Sequence, residues 1–103
     1  MITISINGAQ RSLGDADAGW IRKHFEEAER GGRVPCIRVA FHTTDLNMNL
    51  QTQACGAAGG GGRPPNAHER KVFELWEMEG LGAARINVQH LVDFAERVKR
   101  LAR

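Results

Sequence analysis

The chain has 103 residues, of which 42% are hydrophobic and 25% are charged, and its formal net charge is +2. These totals fit one globular domain that folds without a metal, and so small a net charge argues against nucleic-acid binding. No apolar run approaches the roughly 18 residues that cross a bilayer, which argues against a membrane partner. The opening MITISINGAQ lacks the order of a secretion signal, so we expect a cytoplasmic protein with reduced cysteines.

The chain begins with the pattern of a β-hairpin. Isoleucine alternates with polar residues over residues 2–6, as in a half-buried strand. Asn7-Gly8 is a strong two-residue turn signal, so a return strand is predicted over Ala9 to Leu13. This turn places Arg11 opposite Ile4 on the apolar face. We therefore expect Arg11 at a sheet edge, or a bulge that shifts the register.

A helix is predicted next. Asp15 or Asp17 can cap its N-terminus, and Gly31-Gly32 is a usual C-terminal signal. Its apolar side chains recur at helical spacing, which predicts one buried stripe. The stripe consists of Trp20, Ile21, His24, Phe25 and Ala28.

Two further strands are predicted over Pro35 to Thr43 and Leu46 to Ala54. In both, apolar residues alternate with polar ones, which favours an antiparallel sheet with helices on one face only. Ile37, Val39, Phe41, Leu46, Met48 and Leu50 take the apolar face, whereas Arg38, His42, Asn47, Asn49, Gln51 and Gln53 take the polar one.

The apolar faces of these strands match in two registers. In the preferred register, which buries more apolar area, Phe41 lies opposite Met48 and Val39 opposite Leu50. The alternative register places Phe41 opposite Leu50 and Val39 opposite Thr52.

Two helices complete the chain. Asn66 and Glu69 are spaced as a capping box, and the helix that they begin should stop at Gly80. The last helix is predicted to begin at Asn87. Apolar positions are Val72, Phe73 and Trp76 in the first of these helices, and Val88, Leu91, Val92, Ala95, Val98 and Leu101 in the second.

The predicted fold is therefore a single α+β domain over residues 1–103, in the order ββαββαα. Its sheet has three to four strands, antiparallel or mixed, and three helices cover one face of it. The other face, rich in side-chain amides, stays open.

Residues 55–65, in CGAAGGGGRPPNAHE, are rich in glycine and proline and are predicted to form a flexible loop. Glycine N–H groups before a helix N-terminus can bind an anion. The spacing of the known phosphate loop, G-x-x-x-x-G-K-[ST], is absent, since Arg63-Pro64-Pro65 stands where the lysine and the serine or threonine belong. A plain connection is the preferred interpretation, with ligand binding or partner docking as alternatives. The residues of this ligand site would be Gly59, Gly60, Gly61, Gly62, Arg63, Asn66 and His68.

Cys36 and Cys55 lie at the open end of the second hairpin, on the same face. In the preferred register they are one diagonal step apart, and in the alternative they lie directly opposite. Two reduced residues are the preferred interpretation, and a structural or redox-responsive disulfide is the alternative. The spacing is not that of a zinc site, so we expect no metal.

The sequence shows no catalytic arrangement, so an enzyme is not favoured and no cofactor is expected. Three functions remain. The favoured one is a non-enzymatic interaction or accessory module that binds another protein or a second copy as a homodimer. The alternatives are a domain that binds a small anionic ligand at the glycine loop, and a thiol redox switch through Cys36 and Cys55.

Overall fold

The computed structural model describes residues 1–56 and 64–101, and its elements follow the predicted order ββαββαα. Four antiparallel strands form one sheet, so the antiparallel form of the prediction is confirmed. The strands are β1 (Ile2–Ile6), β2 (Ala9–Ser12), β3 (Ile37–His42) and β4 (Asn47–Gln51), and the helices are α1 (Ala18–Arg30), α2 (Ala67–Met78) and α3 (Val88–Leu101). A short 3₁₀ turn, Gln53–Cys55, follows β4.

The strands lie in the order β2-β1-β3-β4. Phe41 pairs with Met48 and Val39 with Leu50, which confirms the preferred register. This register brings apolar side chains together across the strands, on the side where the helices pack. A slip by one residue would turn all of them to solvent.

The β1–β2 hairpin forms around Asn7-Gly8, whose φ angles are 49° and 90°. Asparagine and glycine tolerate this left-handed region, which explains the tight turn. Ile4 pairs with Arg11, as predicted, and Arg11 lies on an edge strand without a bulge. Its guanidinium lies 5.2 Å from the centre of the Trp20 ring, so the arginine stays exposed while its charge contacts an aromatic face.

The core lies on one side of the sheet. Most strand side chains that point to the helices are 0–4% exposed, with Ile2 and Met48 half-buried, whereas polar side chains on the opposite face meet solvent. The buried set consists of Ile4, Ile6, Ile37, Val39, Phe41 and Leu50, and the exposed set includes Arg38, His42, Asn47 and Asn49. The prediction of a single covered face is confirmed.

Helix α1 is bounded as predicted. The Asp17 carboxylate accepts a hydrogen bond from the Trp20 backbone N–H at 2.8 Å, and Gly31 caps the other end. Ile21 and Phe25 are buried against the sheet.

Helix α2 begins with the predicted capping box. The Asn66 side chain accepts from the Glu69 backbone N–H at 2.7 Å, and the Glu69 carboxylate accepts from the Asn66 backbone N–H at 2.9 Å. Glu69 is only 1% exposed, and its second oxygen accepts from the Asn47 backbone N–H at 2.8 Å. This buried carboxylate therefore ties the start of α2 to edge strand β4.

The prediction that Phe73 belongs to the apolar side of α2 is wrong in part. Glu69, Val72 and Trp76 form the buried arc of the helix, and Phe73 lies at the rim of that arc, 47% exposed. The glutamate takes a core-facing position because it satisfies backbone donors of both α2 and β4.

Helix α3 contains a core residue that the sequence prediction omitted. Phe94 is 0% exposed and meets the Trp76 ring edge-on, with the centroids 5.2 Å apart. Its position three residues after Leu91 and four before Val98 continues the buried stripe. This aromatic contact joins α3 to α2.

The two phenylalanines offer a matched test of this packing. We expect Phe94→Ala to lower the free energy of unfolding by about 3–5 kcal/mol, because it opens a cavity in the core. Phe73→Ala should lower it by about 1 kcal/mol or less, because half of that ring is already in water. Urea unfolding of both variants measures the difference, and equal losses would contradict the described placement of the two rings.

Candidate functional site

The structure describes only part of the predicted ligand site at the glycine loop. Gly59, Gly60, Gly61, Gly62 and Arg63 lie outside the described residues. Asn66 is used in the fold, since its side-chain oxygen caps α2 and its side-chain N–H donates to the Asp45 carbonyl at 2.9 Å. His68 is exposed in the first turn of α2. Ligand binding by this loop stays a prediction.

Cys36 and Cys55 are joined in a disulfide, with their Cα atoms 4.7 Å apart. The interpretation as two separate reduced residues therefore does not describe this structure. The predicted strand over Leu46 to Ala54 ends at Gln51, and the 3₁₀ turn after it brings Cys55 back towards Cys36. A continued strand would have left the two sulfurs a diagonal step apart.

A network of hydrogen bonds holds the disulfide to the sheet. Asn7 and Cys36 exchange two hydrogen bonds: the Asn7 backbone N–H donates to the Cys36 carbonyl at 2.9 Å, and the Cys36 N–H donates to the Asn7 side chain at 2.7 Å. Thr52, which is 2% exposed, donates its N–H to the Ile37 carbonyl at 3.0 Å and accepts the Ile37 N–H on its hydroxyl at 3.1 Å. We call Asn7, Cys36, Ile37, Thr52 and Cys55 the disulfide corner.

A groove of about 450 Å³ lies beside this corner, between the β1–β2 turn and the C-terminal end of α1. Ile6 and Ala28 contribute apolar surface, and His24 and Arg33 are among its polar residues. His24 packs against the Trp20 ring, with the centroids 4.6 Å apart. The described residues that line the groove include no serine, threonine or cysteine.

The remaining histidines are dispersed. His90 lies 3.0 Å from the Glu79 carboxylate, which also meets Arg97 at 3.6 Å, and His42 is exposed on the open sheet face. Over residues 1–56 and 64–101, no three side chains of histidine, cysteine, aspartate or glutamate come together as a possible metal site.

A second groove, of about 280 Å³, runs between α2 and α3. Its apolar floor consists of Leu75 and Leu101, both half-buried. Lys71, Arg97 and Arg100 line its sides. We call these five residues the α2–α3 groove.

Met78 is a further exposed apolar side chain of α2, outside the residues that line this groove. It follows Leu75 by three residues, on the same side of α2, and is 72% exposed. Sequence reasoning missed this stripe because it followed only the core-facing side of the helix. The signal was present in the spacing of Lys71, Leu75 and Met78, which repeats at four and three residues.

Among the described helices, none is both long enough and apolar enough to cross a membrane. Comparison with protein-family models, curated proteins and solved structures found no match to this chain. No activity is therefore transferred to it from a relative.

Proposed function

We propose that the protein is a non-enzymatic interaction module that docks a partner protein in the α2–α3 groove. The observation that supports this is apolar surface on α2 and α3 that meets solvent: Leu75 and Leu101 are half-buried in the groove, and Met78, three residues after Leu75, is 72% exposed. Apolar surface that is rimmed by charged groups is typical of protein-docking sites. Burial of such surface stabilises a complex by about 25 cal/mol per Å² before the costs of association are subtracted.

The charge of the groove favours a different protein over a second copy. If two such grooves met around a two-fold axis, positive charges would face each other and repel. These are the charges of Lys71, Arg97 and Arg100. Self-association, if it occurs, suits the open sheet face better. Side-chain amides such as those of Asn47 and Asn49 both donate and accept, so two identical faces can be complementary.

The docking surface can be tested by site-specific photo-crosslinking in a lysate of the cells that make the protein. With Met78→p-benzoylphenylalanine we expect one saturable adduct, because the probe lies inside the proposed interface. The adduct should disappear when purified unlabelled protein is added in excess to the lysate before irradiation. Gel mobility and mass spectrometry of the adduct measure both effects.

Two control positions give this experiment its specificity. Glu26, exposed on α1, and Phe73, at the opposite rim of α2, receive the same probe. Neither should yield the adduct that forms at position 78. An identical adduct at all three positions, or none at position 78, contradicts the proposal.

A redox-responsive role is a second candidate, favoured by the disulfide itself. A cytoplasmic protein would meet glutathione and thioredoxin systems, which keep most disulfides reduced. A dithiol reductant would break the Cys36–Cys55 bond, leave two thiols and become a disulfide in turn. The cytoplasmic location and the redox role are thus proposed together, since in an oxidising compartment the same bond would be purely structural.

The contribution of the disulfide can be measured directly. The two cysteines are 19 residues apart, and closing a loop of that length stabilises the fold by about 3 kcal/mol. Urea unfolding with a dithiol reductant should show that loss, whereas Cys36→Ala/Cys55→Ala should not respond to reductant.

In intact cells, thiol alkylation should detect fewer free thiols after oxidant treatment. A thiol count that oxidant leaves unchanged contradicts the redox role.

A further inference from the structure

From the α2–α3 groove we infer the chemistry of the partner: an amphipathic helix with an apolar stripe flanked by acidic residues. This inference rests on the proposed docking function and goes further, because it specifies what the groove selects. It follows from the shape, the apolar floor and the unbalanced charge of this surface.

The shape of the groove fits a helix. Two helices, α2 and α3, form its walls, and its floor carries a leucine from each of them, Leu75 and Leu101. A third helix packs into such a groove through side chains spaced by three and four residues. Met78, exposed and three residues after Leu75 on α2, has an unbranched side chain that can adapt to a further contact with that helix.

The charge around the floor is not balanced within the described part of the chain. Arg97 meets Glu79 at 3.6 Å, so one of the three cations has a carboxylate partner. Lys71 and Arg100 form no ion pair with any described carboxylate. Acidic residues along both flanks of an incoming helix would complement these two cations and set its position in the groove.

The same geometry favours a helix over an anionic membrane. Leu75 comes from α2 and Leu101 from α3, and both are half-buried, so contact with both leucines needs side chains that enter between the two helices. A bound helix can place its own side chains against both leucines. The groove therefore favours a ridge of side chains as the binding element.

The test uses the full chain and three fluorescent peptides of about 18 residues, long enough to form a helix on binding. The first has a leucine stripe with glutamates on both flanks, the second has the same stripe with lysines, and the third is a scrambled form of the first. Fluorescence anisotropy is measured at low and at physiological ionic strength. We expect only the first peptide to bind with saturation, and the scrambled peptide to bind at least about tenfold more weakly.

A charge swap assigns the binding to the groove. Lys71→Glu/Arg100→Glu should weaken the acidic peptide about tenfold and strengthen the lysine-flanked peptide, because the flanking interactions change sign. Lys23→Glu/Arg30→Glu, on exposed positions of α1, changes the net charge equally and should leave both affinities unchanged. Met78→Glu should weaken binding without a reversal of peptide preference. Circular dichroism confirms that each variant is folded.

Other outcomes overturn the inference. Equal weakening by both double variants, or equal binding of the scrambled peptide, would mean unspecific attraction of charge. Binding to anionic phospholipid vesicles that depends on Lys71 and Arg100, without peptide binding, would identify a membrane surface. If position 78 still crosslinks a partner while the peptides show no preference, docking stands and the acidic-helix inference fails. If both experiments are negative, the proposed function fails as well.

Discussion

One constraint organises the structure: the apolar side chains of the strands project to a single side of a four-stranded sheet. Ile4, Val39, Phe41 and Leu50 are all 4% exposed or less, and every helix packs against that side. Because side chains alternate along a strand, the same register that seals this core turns Asn47 and Asn49 to solvent. The open face is thus a direct consequence of the buried one.

The helices then create the surfaces that remain for function. Glu69 fixes the start of α2 against β4, and the contact between Trp76 and Phe94 fixes α2 against α3. Because this side of α2 is buried in the core, Leu75 lies in the groove that α2 shares with α3, and Met78 stays exposed. At the end of the sheet where the first turn lies, Asn7 and Thr52 hold the disulfide corner. The surface proposed for docking and the disulfide therefore lie in separate parts of the fold.

Much of this arrangement follows from local rules that the sequence displays. The strands and their register were predicted from the alternation of apolar and polar residues in β1, β3 and β4 and from the Asn7-Gly8 turn. The start of α2 was predicted from the capping box of Asn66 with Glu69. The candidate sites were harder to predict because they depend on distant contacts. The 3₁₀ turn that brings Cys55 to Cys36 depends on how the chain leaves β4, and the α2–α3 groove depends on how these two helices pack, with Phe94 against Trp76.

The one-sided burial can be tested most directly by NMR with a water-soluble gadolinium chelate, which broadens the signals of exposed groups. We expect strong broadening of the Asn47 and Asn49 side-chain amides, and protection of the Val39 and Leu50 methyl groups, because only the first pair faces water. Protected asparagine amides together with broadened Val39 and Leu50 methyls would contradict the account. The helices would then cover the opposite face, and the groove between α2 and α3 would have to lie elsewhere.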